Sequence, residues 1–216
     1  METLETSKEK QQKRFKIKTK DIALAAVLTA ISILIPAYAP SIPFDPAGAM
    51  TVTPFSHLPI FIASFINPFV AIFTCGGTVL GFFIKGANPV VLVRAASHII
   101  FTLVCSLLMK KGKGYRGLSF YVLCGIVTVL HAAAEILVAT FAVHLGFLVP
   151  PANQQAVFYV LVTVGLLTAA HSIFDYSFAV LIYNTLSQAR LVNNRFDLRI
   201  TKKIKPAEQK IIPNEI

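Results

Sequence analysis

The sequence predicts an all-α integral membrane protein with six transmembrane helices and both termini in the cytoplasm. The chain is 55% hydrophobic and only 14% charged, with a mean hydropathy of +0.68, whereas a soluble domain carries about 25% charged residues. Its apolar runs match a hydrocarbon core of about 30 Å. Of its 20 Lys and Arg, 18 fall within residues 1–20, 110–116 and 190–210. Six crossings put all three clusters on one side, as the positive-inside rule requires, and five would separate the tail from the arm. The net charge of +10 is therefore a topology signal and not a nucleic-acid-binding face.

The elements follow in order. Residues 1–20 read as a cytoplasmic basic arm lying at the lipid bilayer, not a cleaved secretory signal, because further apolar runs follow the first. Residues 21–189 are the six-helix membrane domain, and residues 190–216 a cytoplasmic basic tail. Residues 21–39 form the first span, with Asp21 as N-cap and Pro36 loosening the last turn. Residues 40–54, PSIPFDPAGAMTVTP, are too rich in proline and small residues for a regular helix and form a long external loop. The apolar stretch from Phe55 to Ile84 would measure about 45 Å as one helix. Asn67-Pro68 therefore divides it into a short span at 55–66 and another at 68–85. A turn at 85–89 leads to the fourth span, 89–109. The basic loop 110–117, the fifth span from 118 to about 145, the loop LVPPANQQ and the sixth span from about 156 to 185 complete the domain.

Ionisable residues inside the last three spans carry the functional signal. Arg94 and His98, His131 and Glu135, and His171 and Asp175 are each four apart, so each pair shares a helix face. An arginine in hydrocarbon costs about 2.5–3.5 kcal/mol on insertion scales, so such stripes face protein or a wet cavity. Their depths overlap in the outer half of the membrane, beneath the 40–54 loop. This predicts a substrate pocket of Arg94, His98, His131, Glu135, His57 and His171 with an external lid. Arg94 reads either as the structural partner of Glu135 or as the counter-charge for an anionic ligand, and the two roles are compatible. His171-Asp175 is the pair least suited to touch a ligand and reads instead as a link between helices.

Other chemistries lack their signatures. A metal site on His98, His131, His171 and Glu135 has no HExxH or CxxC spacing behind it, so neither a metal nor another cofactor is expected. No GxSxG, GxGxxG or P-loop is present, so the chain reads as no enzyme, and any ATP hydrolysis falls to separate polypeptides. Cys75, Cys105 and Cys124 lie in apolar segments as small buried hydrophobes. Ala26 and Ala30 put a smooth patch on the first span, suited to close helix approach.

In this order the features resemble the substrate-binding S components of energy-coupling factor (ECF) vitamin transporters. The resemblance covers roughly residues 20–190. It rests on the alanine-rich first helix, the Pro-rich loop, the short span opening at PFSHLPIFIASFINP, and the stretch PVVLVRAASHIIF. It implies a plasma-membrane protein that binds one vitamin from outside. Such a protein docks through Ala26 and Ala30 on a module of one transmembrane coupling protein and two ATPases. The charges of the pocket favour an acid over cationic thiamine, with pantothenate as the first expectation and nicotinate next. The rival reading is a self-contained proton-coupled secondary transporter of a small organic acid, using His131, Glu135, His171 and Asp175 as a relay.

Overall fold

The computed structural model describes residues 17–44, 48–111, 115, 116, 118–193 and 196. Most of the basic arm, the tip of the 40–54 loop, the centre of the 110–117 loop and most of the tail lie outside the described residues. The fold is mostly helical. Helices α1 (Thr19–Tyr38), α2 (Leu58–Ile66), α3 (Pro68–Ile84), α4 (Pro89–Ser97), α5 (Ile99–Lys111) and α6 (Leu118–His144) are followed by α7 (Ala156–Phe158) and α8 (Gly165–Gln188). Among the described residues, Thr19–Tyr38, Pro89–Met109, Leu118–His144 and Ala156–Gln188 are long and apolar enough to cross a membrane. Helix α3 has 17 residues and α2 only nine. At 1.5 Å per residue, α3 rises about 26 Å, a little short of a full hydrocarbon core.

Asp21 is not the N-cap of α1. The helix begins at Thr19, which places Asp21 in the first turn, where its carboxylate accepts the backbone N–H of Lys18 at 3.1 Å. A carboxylate at that position neutralises an orphan donor as effectively as a cap does. Asn67 does cap α3, its side chain accepting the N–H of Val70 at 3.0 Å, and Pro68 opens the helix.

Helix α1 packs along α3 through small residues. The Ser32 hydroxyl sits 2.8 Å from the Thr74 carbonyl, and a side chain at Gly77 or Gly81 would collide with Ser32 and Thr29 or with the Ile33 backbone. This close approach leaves Ala26 and Ala30 on the opposite, exposed face.

Two departures from regular helix went unseen in the sequence. His98 sits in a turn between α4 and α5, its N–H reaching the Ala95 carbonyl at 3.3 Å. Between α7 and α8, residues Tyr159–Val164 form a widened π-type segment. Such insertions are frequent at functional sites.

The two ends of the bundle differ. At one end, Phe65, Tyr176, Tyr183 and Phe196 form a buried aromatic cluster, Tyr115 bridges to Phe196, and the Lys20 ammonium donates to the Arg190 carbonyl at 3.3 Å. The described parts of the arm, the basic loop and the tail thus meet there. At the other end, the loop after α1 is not wholly irregular. Strands β1 (Ile42–Pro43) and β2 (Thr51–Val52) pair antiparallel, Ile42 opposite Val52 and Pro43 opposite Thr51. Lys85 fastens this hairpin, donating to the Ala39 carbonyl at 2.5 Å and the Ser41 hydroxyl at 2.8 Å.

Candidate functional site

The three polar stripes converge. Arg94 arrives from α4, His98 from the turn after it, His131 and Glu135 from α6, and His171 and Asp175 from α8. His57, immediately before α2, joins them into one cluster. Its backbone N–H donates to Asp175 Oδ2 at 3.0 Å, and its Nδ1 lies 3.3 Å from the same oxygen. Asp175 therefore links helices, and its carboxylate is fully buried. His171 Nε2 is also 3.3 Å from that oxygen.

Local backbone geometry aims His57. Phe55, two residues earlier, adopts a left-handed conformation with φ of 63°, which is uncommon for a bulky residue and marks a strained turn. Its ring is held between Phe174 and Phe178 of α8, each 5.6 Å away.

Arg94 is ion-paired through Nε with Glu135 Oε2, and its Nη1 donates to the Ala49 carbonyl at 3.1 Å. The lid backbone thus rests directly on the buried cation. The second carboxylate oxygen of Glu135 lies 2.9 Å from His98 Nε2 and 3.8 Å from His131 Nε2. His98 Nε2 in turn stands 3.4 Å from His57 Nε2. Every predicted pocket residue is therefore in one network, in which Arg94 has Glu135 as its structural partner.

A cavity lies at the centre of this network, with room for about 30 Å³, enough for a water or two. Besides the predicted residues it is lined by Thr51, Thr53, Ser56, Phe82, Val91 and Thr168. Sequence reasoning did not single these out. Val91 and Thr168 lie three residues before Arg94 and His171 on the same faces, a helical spacing that would have flagged them. The two lid threonines carried no signal beyond membership of the loop.

These features define a class: a multi-pass membrane protein whose helices enclose a charged, histidine-lined cavity beneath a loop fastened at one end. Over 176 residues the chain is 31% identical to the niacin transporter NiaX of Lactococcus lactis subsp. cremoris (strain MG1363), an alignment covering 81% of this chain and 78% of that protein. The chain belongs to the family of substrate-binding S components of ECF vitamin transporters. It is accordingly a component of vitamin uptake rather than an enzyme. No family model matches the chain, and no solved structure matches it.

Proposed function

We propose that the protein is the high-affinity receptor for nicotinate, captured from outside the cell and delivered through an ATP-driven ECF module. The observation that carries this reading is the buried Arg94 beneath the lid, ringed by imidazoles. A planar guanidinium suits a carboxylate, and flat histidine rings suit a flat aromatic acid. The similarity to a niacin transporter supports nicotinate over pantothenate, the first expectation from sequence.

In this reading the chain crosses the plasma membrane six times, α2 and α3 supplying two short crossings. The described parts of the three basic clusters meet at one end, which supports cytoplasmic termini under the positive-inside rule. Residues 21–189 then form the receptor, flanked by the basic arm 1–20 and the tail 190–216. Arg94, His98, His131, Glu135, His57 and His171 bind the acid as Arg94 exchanges Glu135 for the ligand. The exposed Ala26 and Ala30 dock on the transmembrane coupling protein, whose two ATPase partners supply the energy.

Uptake of labelled nicotinate by cells lacking their own carrier tests this directly. Accumulation that requires both this chain and an ECF module is the expected result. Accumulation by this chain alone would instead establish the proton-coupled carrier.

A further inference from the structure

The buried histidines are arranged in a way that anion recognition alone does not require. Three imidazoles from three distant segments face one another as a triangle. Ring centroids are 4.5 Å apart for His57 and His98, 4.6 Å for His57 and His131, and 4.8 Å for His98 and His131. Ligating atoms of the three all lie within 4.8 Å of one another. Glu135 Oε1 points into the same space.

We infer that His57, His98, His131 and Glu135 form a site for one divalent transition-metal ion, four-coordinate at rest and expanding to a fifth position to take the substrate's carboxylate. The binding of the ion is independent of the nicotinate reading; the shared position rests on it.

Spacing is the first argument. Donors held by one tetrahedral ion at about 2.0–2.1 Å stand about 3.4 Å from each other. The His57 Nε2 to His98 Nε2 separation is 3.4 Å, His98 Nε2 to Glu135 Oε1 is 2.9 Å, and His131 Nε2 to Glu135 Oε1 is 3.8 Å. These edges bracket the expected value. One proton shared by His98 and Glu135 accounts for the shortest edge, and an ion entering the site would displace it.

Unmet bonding is the second. His131 is 1% exposed, yet its Nδ1 has no hydrogen-bond partner and its Nε2 has only the Glu135 carboxylate at a long 3.8 Å. Buried polar groups without partners are rare and costly. A metal bond would satisfy His131 Nε2. His57 already has the outer partner that metal-ligating histidines use, its Nδ1 facing the Asp175 carboxylate at 3.3 Å.

Charge is the third. Arg94 contributes +1, Glu135 −1 and Asp175 −1, so the fixed charges leave the cluster one unit negative. A divalent ion raises it to one unit positive, and a bound carboxylate returns it to zero. Neutrality is the favoured state for a site shielded from water within a membrane. Three imidazoles and a carboxylate suit Zn²⁺ or Co²⁺ rather than Mg²⁺ or Ca²⁺.

The test uses the full chain in detergent, purified on a tag without histidine, stripped with a chelator and titrated with Co²⁺. The expected result is one Co²⁺ per chain with the visible absorption of a low-coordinate site, displaced by Zn²⁺. His57→Gln and His131→Gln should each weaken binding more than about tenfold, with melting of the stripped variants showing that they fold. Nicotinate should shift the cobalt bands, and neutral nicotinamide should not. Absence of Co²⁺ and Zn²⁺ uptake by the folded wild type would overturn the site, as would a bound ion indifferent to both substitutions. A bound ion whose spectrum ignores nicotinate that demonstrably binds would overturn the shared position. Failure of nicotinate to bind the loaded protein would sink the nicotinate reading and leave the ion site standing.

Discussion

The guanidinium of Arg94 on α4 is held by the carboxylate of Glu135 on α6 and by the carbonyl of Ala49 in the loop above. One side chain thus joins two helices to the covering hairpin, and any anion that takes Arg94 must disturb both contacts. An acid bound at Arg94, as proposed, would be coupled through this residue to the position of the covering hairpin.

Removing that cation should weaken acid recognition. Charge-assisted hydrogen bonds contribute about 1.5–3 kcal/mol, so Arg94→Gln should weaken nicotinate binding by roughly ten- to 150-fold. The lone substitution also strands Glu135 in the interior, which is strongly destabilising. The double variant Arg94→Gln, Glu135→Gln leaves the site's net charge unchanged. Calorimetry on it should still show the loss, and full affinity would remove Arg94 from the ligand's contacts.

Lys85 should govern how long the ligand stays. It fastens the lid through Ala39 and Ser41, and Ser41 reaches Thr53 at 2.6 Å on the far side of the hairpin. In Lys85→Met these bonds are lost, at about 0.5–1.5 kcal/mol each. Stopped-flow dissociation of nicotinate should accelerate about five- to 150-fold, while Lys85→Arg should remain near wild type. Unchanged dissociation in Lys85→Met would mean that the hairpin does not gate the site.

Much of this arrangement was legible because membrane burial makes polar residues informative. Face and depth alone grouped Arg94, His98, His131, Glu135 and His171, which meet in the fold, and Asn67-Pro68 divided the long apolar stretch where α2 ends and α3 begins. Three features were hidden for physical reasons. The break at His98 and the π segment at Tyr159–Val164 are set by packing rather than by proline or glycine within them. The β1–β2 hairpin has two residues per strand, too few to show periodicity. The misplaced cap at Asp21 is a boundary error, because Thr19 and Lys20 also enter the helix.

Asp175 should act as an anchor rather than a ligand contact. Asp175→Ala removes the acceptor for the His57 backbone N–H and leaves a buried donor unsatisfied, at a cost of about 1–3 kcal/mol. Thermal melting in detergent should fall accordingly. Asp175→Asn keeps an acceptor oxygen and should melt closer to wild type; equal losses in both would point to charge rather than anchoring.

The face of α1 that meets α3 and the face that carries Ala26 and Ala30 should respond oppositely to bulk. Gly81→Leu drives a side chain into the Ile33 backbone and should cost at least about 1–3 kcal/mol as overpacking, read as lower melting. Ala30→Leu extends from an exposed position and should leave melting and nicotinate binding intact while reducing uptake through the ECF module. Normal uptake in Ala30→Leu would exclude this face as the docking surface.

The most direct measurement is calorimetric titration of the purified wild-type chain with nicotinate, pantothenate and nicotinamide. The account predicts tight one-to-one binding of nicotinate and much weaker binding of the other two. Pantothenate binding more tightly than nicotinate, or nicotinamide binding as well as the acid, would contradict it.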